Sequence, residues 1–148
     1  MNVQTAAAAA QPATVPTSTP MTGVLRALLI GEAALGLAAA VILSLVAATL
    51  RDVLGGDAGR AAEESIRFAA GGAFVFAIAA TIASRGVRKR RGWAWTLSAL
   101  LQLVLAIGTG VAIMVATWHP AYLLGFGLAA VVMVVLSTAS VRRALGQD

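Results

Sequence analysis

Four apolar stretches constrain this chain more than any other feature of its sequence. They cover residues 23–50, 68–84, 93–117 and 121–140, and short segments containing charged residues, glycine or proline separate them. About 20 apolar residues in a helix cross the hydrocarbon core of a bilayer. Because lipid offers no partners to backbone polar groups, segments like these cross as helices. The sequence therefore predicts an all-α fold, a four-helix transmembrane bundle.

The composition of the chain fits this fold and argues against an enzyme. Only 11% of the 148 residues are charged and 59% are hydrophobic, whereas soluble domains carry about 25% charged residues. Four spans leave no room for a soluble catalytic domain, and no nucleophile–base pair or metal triad can be assembled. We therefore expect no enzymatic activity, no cofactor and no metal. The chain has no cysteine, which excludes disulfides and thiolate zinc sites.

The segments outside the four spans are short. Residues 1–22 contain no charged side chain and combine an alanine run with three prolines spaced by four, a pattern that predicts a disordered tail. Met21 would serve as a start as well as Met1, and the sequence does not choose between them. The first span is interpreted as a retained anchor, with cleavage as a signal peptide near residues 47–49 as the alternative. Residues 142–148 are predicted to form a cytoplasmic tail.

The second helix is expected to begin before it enters the membrane. The turn Gly55-Gly56-Asp57 precedes an alanine-rich segment in which Arg60–Glu64 and Glu63–Arg67 have i,i+4 spacing, so the helix should start near residue 58. Gly86, just before the second loop, is a candidate for the residue that ends this helix.

The distribution of Lys and Arg predicts the orientation of the bundle. Four spans place the N-terminal segment, the second loop and the C-terminal segment on one side. That side carries eight Lys/Arg against three on the other, and basic residues are retained in cytoplasmic loops. The predicted location is a bacterial plasma membrane, with several spans and both termini in the cytoplasm.

One acidic side chain and one amide lie inside the predicted spans. Glu32 lies about eight residues into the first helix and Gln102 about nine residues into the third, so at 1.5 Å per residue both should sit at a similar depth. We expect them to form a polar pair, because an unpaired carboxylate in hydrocarbon costs about 3 kcal/mol. Two interpretations stay open: a link that packs two helices together, or a proton or cation site.

Rows of small residues extend from both members of this pair. Gly36 and Ala40 follow Glu32 at four-residue steps, and Ala94 and Ser98 precede Gln102 in the same way. Small residues let helix backbones approach closely in membranes. The expected main contact is therefore between the first and third helices.

A basic cluster occupies the second loop. It consists of Arg85, Arg88, Lys89, Arg90 and Arg91. Such a cluster determines topology and can also bind anionic lipid head groups, at about 1 kcal/mol per basic residue. The net charge of +5 is explained by these flanking residues, and no nucleic-acid partner is expected.

These residues carry two resemblances to known families. A glutamate in the first span (Glu32), an arginine-rich second loop running into tryptophan (Trp93), a glutamine in the third span (Gln102) and the ending LSTASVRRAL over residues 136–145 resemble the small four-span integral membrane proteins of unknown function that are common in actinobacteria. That family implies no activity. The chain also resembles small multidrug resistance transporters, in which a first-span glutamate binds protons and cationic drugs. It lacks their aromatic-rich helices, and its strong Lys/Arg bias departs from their dual topology.

The sequence thus favours a non-enzymatic scaffold, accessory subunit or homo-oligomer in the lipid bilayer, with another membrane protein or a second copy as partner. A proton-coupled small transporter or channel that uses Glu32 is the alternative.

Overall fold

The computed structural model describes residues 20–115 and 120–147, and every element in them is helical. Five helices follow one another: α1 (Pro20–Leu54), α2 (Gly56–Arg88), α3 (Gly92–Val115), α4 (Pro120–Ser137) and α5 (Ala139–Ala144). The first three are long and apolar enough to cross a membrane, and the fourth contains a shorter apolar helix, Tyr122–Ser137. The predicted all-α fold is therefore confirmed, and three of the four predicted spans lie on helices that could cross a membrane. Most of the predicted tail, residues 1–19, and the connection 116–119 lie outside the described residues.

Helices α1 and α2 form a long antiparallel hairpin. They contain 35 and 33 residues, about 50 Å each at 1.5 Å per residue, so they are longer than the hydrocarbon core of a bilayer. The turn between them needs only Gly55 and Gly56, both with positive φ (61° and 54°), a conformation that glycine adopts without strain. Because the turn is so short, α2 runs back along α1 and packs against it.

The expected main contact between the first and third helices is wrong, because α1 packs chiefly against α2. The small row on α1 faces this neighbour: a Cβ at Gly36 would lie 3.2 Å from the carbonyl oxygen of Ala73 and 3.3 Å from the Cβ of Ala77. Both helices offer small residues, so their backbones approach closely. The alanine-rich composition that makes α2 weakly hydrophobic is what fits it against α1.

An ion-pair cluster lies near the glycine turn, at the end of the hairpin where α2 begins. The Glu63 carboxylate lies 2.6 Å from Arg67 on α2 and 3.7 Å from Arg51 on α1. The predicted Glu63–Arg67 pair is thus confirmed. Arg60 pairs with Asp57 at 2.7 Å instead of with Glu64, because Asp57 in the first turn of α2 lies three residues away on the same face.

Helix α2 runs through Gly86 and ends at Arg88, so the prediction that Gly86 ends the helix is wrong. The terminating residue is Arg90, with φ 50°. Around it the Arg91 amide donates to the Gly86 carbonyl and the Arg90 amide donates to the Val87 carbonyl, the bonding pattern of a Schellman motif. Gly86 itself is buried, and a Cβ there would lie 2.7 Å from the Cβ of Ala94. Its role is to let α2 and α3 approach.

The predicted fourth span, 121–140, and the predicted tail, 142–148, both need correction. Helix α4 ends at Ser137, Thr138 adopts an extended conformation, and α5 follows. Val141 and Leu145 are buried in the same cluster as Leu25 of α1. The C-terminal segment is therefore packed against the bundle over most of its length, since two apolar residues four apart form one face of a short helix.

The four long helices are joined most firmly at one end, which we call the basic end. It comprises the start of α1, the end of α2, the start of α3, the end of α4, and α5. The buried residues of α3 are Ala94, Ser98, Leu101 and Gln102, all in its first eleven residues, and those of α4 lie between 129 and 136. Among the described residues, the other halves of α3 and α4 contain no buried side chain. The core of the bundle is thus concentrated toward the basic end.

Candidate functional site: the intramembrane Glu32–Gln102 pair

Glu32 and Gln102 meet inside the bundle. The Gln102 Nε2 atom donates to both carboxylate oxygens of Glu32, at 3.0 Å to Oε1 and 2.8 Å to Oε2. Glu32 is 2% exposed and Gln102 is fully buried. The two residues are 70 positions apart in the chain and are in direct contact, as their similar predicted depth suggests.

The pair lies between a closely packed apolar region of the bundle and a region where α3 has few buried contacts. On the basic-end side, Leu25 and Leu29 of α1 are fully buried, as is Ala94 of α3. On the other side, α1 turns its small residues toward α2, and α3 has no further buried residue in its described part. The hydrogen bonds therefore join the α1/α2 hairpin to α3 just where apolar contacts between them become sparse.

No cation of the described chain neutralises Glu32. The ion pairs between described residues involve Asp57 and Glu63, both near the start of α2, and the partner of Glu32 is an amide. A buried carboxylate is stabilised by hydrogen-bond donors when no counter-charge is present. Gln102 provides such a donor, and its Nε2 atom reaches both carboxyl oxygens.

Two polar atoms at this site, one of them in the pair, have no hydrogen-bond partner among the described residues. They are Gln102 Oε1 and Ser98 Oγ, both fully buried. Ser98 precedes Gln102 by four residues, so the two side chains lie on the same face of α3. Most buried polar groups are hydrogen-bonded. The two unpaired oxygen atoms therefore make the region around Glu32 unusually polar for a contact that only packs helices together. The sequence showed Ser98 as part of a small row, but its unpaired hydroxyl is visible only in three dimensions.

The basic cluster lies apart from this pair, at the basic end. Arg85 and Arg88 occupy the last turn of α2 and Lys89, Arg90 and Arg91 form the turn to α3. All five side chains are exposed. The structure thus separates the two sets of candidate residues: a neutral amide and a carboxylate in the interior, and cations at the surface of one end. Among the described residues, no group of three or more His, Cys, Asp or Glu could hold a metal ion.

Trp95, in the first turn of α3, links this helix to α4 at the basic end. The indole N–H of Trp95 donates to the carbonyl oxygen of Leu136 at 3.1 Å. This carbonyl is available because α4 stops at Ser137 and so lacks the next helical N–H donor. Only the premature end of α4 creates this acceptor, and nothing in the sequence signals that end clearly.

Comparisons of the chain with protein-family models, with curated proteins and with solved structures find no match.

Proposed function

We propose that this protein is a non-enzymatic membrane bundle that acts as a scaffold, accessory subunit or homo-oligomer. The observation that carries the proposal is the engagement of Glu32: its two oxygens are both occupied by Gln102 on another helix. The most polar group inside the membrane domain is thereby used to hold helices together. The sequence features shared with small four-span proteins of actinobacteria support the same proposal, because that family implies no activity.

The proposed location is a bacterial plasma membrane, with both termini in the cytoplasm. The basic end carries eight Lys/Arg, whereas the end near Gly55 carries three together with Asp52, Asp57, Glu63 and Glu64. Basic residues are enriched on the cytoplasmic side of membrane proteins, and this difference supports a cytoplasmic basic end.

Single cysteines test the orientation directly, because the chain contains none of its own. Glu64→Cys and Lys89→Cys place exposed thiols at opposite ends of α2. In intact cells, a membrane-impermeant maleimide is expected to label Glu64→Cys, and Lys89→Cys only after lysis. Labelling of Lys89→Cys in intact cells, with Glu64→Cys protected, would reverse the proposed topology.

A proton-coupled transporter or channel is the second candidate, and one specific observation favours it. Glu32 has no counter-charge among the described residues, and the unpaired Ser98 Oγ and Gln102 Oε1 atoms lie on the adjoining face of α3. Intramembrane carboxylates frequently mark proton and ion pathways. A mobile proton or cation would have oxygen partners there.

Glu32→Gln separates the two candidates, because it removes the ionisable group and keeps a hydrogen-bonding side chain of the same size. If the protein is a scaffold, proteoliposomes with the native chain and with Glu32→Gln show the same proton flux under an imposed pH gradient. Crosslinking in native membranes, followed by purification in mild detergent, recovers the same partner or oligomer with both. A proton flux that the native chain supports and Glu32→Gln abolishes would contradict the scaffold proposal and favour the transporter.

A further inference from the structure

A small groove opens at the basic end, on the side formed by α3, α4 and α5. Trp95, Ser137, Arg142 and Gln147 line it, and its volume is about 250 Å³. It lies away from the Glu32–Gln102 pair, and Arg142 and Gln147 fall in the segment that the sequence predicts as a tail. We propose that this groove binds the phosphate head group of an anionic phospholipid.

The walls of the groove are held in place by hydrogen bonds to backbone carbonyl groups. Trp95 is fixed by its hydrogen bond to Leu136. Gly146 has φ 69° and ends α5, and the Gln147 amide donates to the Arg142 carbonyl at 2.9 Å. The Gln147 Nε2 atom also approaches the carbonyl oxygen of Gly92 at 3.5 Å. The groove is thus built by packed elements of the bundle, and a ligand would find it formed in advance.

The chemistry of the lining residues fits a phosphate. Arg142 is exposed, and its guanidinium forms no ion pair or hydrogen bond within the described part of the chain. A guanidinium presents a planar fork of N–H donors that matches phosphate oxygens. The side-chain amide of Gln147 has a second N–H besides the one directed at the Gly92 carbonyl, and it can serve as a further donor. Arg143, by contrast, turns back along α5, where its Nε donates to the Ala139 carbonyl.

The surroundings favour a lipid over a soluble phosphate compound. Met133 and Val134, one turn before Ser137 on α4, are 43% and 69% exposed. Acyl chains attached to a head group in the groove would therefore find apolar surface directly beside it. A volume near 250 Å³ suits a phosphoglycerol group, while nucleotides and other drug-sized ligands occupy pockets of roughly 300–1,000 Å³.

Charge favours an anionic lipid in particular. The sequence assigns eight cationic side chains to the basic end and, apart from the buried Glu32, one acidic side chain, Asp148. A zwitterionic head group would gain little from this field, whereas a phosphatidylglycerol head group keeps its full negative charge. This proposal is independent of whether the protein is a scaffold or a transporter, because it concerns a different set of residues.

The neighbouring arginines provide a matched test. The full chain, purified in detergent, is titrated with phosphatidylglycerol or phosphatidylcholine, and bound lipid is counted by native mass spectrometry. The native protein and Arg143→Gln are expected to retain one tightly bound phosphatidylglycerol. Arg142→Gln removes the charged hydrogen bonds and should weaken binding about ten-fold or more. Ser137→Leu, which fills the groove without changing charge, should weaken binding as well.

Several outcomes would overturn the proposal. Equal weakening by Arg142→Gln and Arg143→Gln would mean that only the overall charge matters. Equal affinity for phosphatidylcholine would remove the preference for an anionic lipid. Competition by inorganic phosphate or glycerol 3-phosphate at the concentration of the lipid would identify a soluble phosphate compound, and not the lipid, as the ligand of the groove. Retained binding in Ser137→Leu would place the lipid outside the groove.

Discussion

Gln102→Leu is expected to lower the free energy of unfolding by about 2–3 kcal/mol, far more than the loss of an average interhelical hydrogen bond. Such bonds contribute only about 0.6 kcal/mol on average in membranes. The larger effect arises because Gln102 supplies the side-chain donor that meets both oxygens of Glu32. Removing Gln102 leaves both carboxyl oxygens of Glu32 buried without this hydrogen-bond partner, which costs about 1–3 kcal/mol or more. Reversible unfolding in mixed micelles, followed by circular dichroism, measures the change.

The control for this prediction is the double variant Glu32→Leu/Gln102→Leu. With both polar groups replaced by apolar ones, no uncompensated group remains, so the double variant should be more stable than Gln102→Leu alone. Thr109→Val provides a second control, because Thr109 donates only to carbonyls of its own helix. A Gln102→Leu variant within 0.5 kcal/mol of the native chain, a margin typical of substitutions without structural effect, would contradict the importance of the pair.

Gly86→Ala is expected to destabilise the bundle, although alanine is the better helix former. A Cβ at this position would lie 2.7 Å from the Cβ of Ala94 and 2.8 Å from the edge of the Trp93 ring. The tryptophan can move, but the Ala94 Cβ is fixed to the α3 backbone, so the two helices must separate. Overpacking of this kind costs about 1–3 kcal/mol. The same unfolding experiment tests it.

Gly72→Ala is the matched control for Gly86→Ala, because both glycines lie inside α2 and differ in their surroundings. Nothing lies within 4 Å of a Cβ placed at Gly72. Only the intrinsic preference for alanine then acts, and it favours the variant by up to about 1 kcal/mol. Equal changes in stability for the two variants would show that α2 and α3 do not approach each other at Gly86.

The spans and the polar pair were accessible from the sequence for simple physical reasons. Long apolar segments must be helical in lipid, and a fixed rise per residue converts position into depth. Glu32 and Gln102 could be matched because each is the only side chain of its kind inside a span. No similar argument selects partners for small residues, which occur on several helices. The two-residue turn at Gly55 and Gly56, rather than the small rows, decides that α1 packs against α2.

The end of the chain was the least predictable part. Residues 139–147 contain two apolar side chains that become buried, Val141 and Leu145, too few to give a clear hydrophobic period. Helix α5 forms because Thr138 redirects the chain and lets these two side chains reach α1. The acceptor used by Trp95 and the groove beside Arg142 both depend on that turn, so neither was visible from the sequence.

The concentration of buried residues toward the basic end makes the stiffness of the bundle uneven. Measured from the level of the Glu32–Gln102 pair, α1 continues for 22 residues to Leu54 and α3 for 13 residues to Val115. At 1.5 Å per residue these segments are about 33 Å and about 20 Å long, so α1 extends about 13 Å farther than the described part of α3. Changes in bilayer thickness or lateral pressure should therefore deform the half of the bundle far from the basic end, where the α1/α2 hairpin has few contacts with α3 and α4. The closely packed basic end should change less.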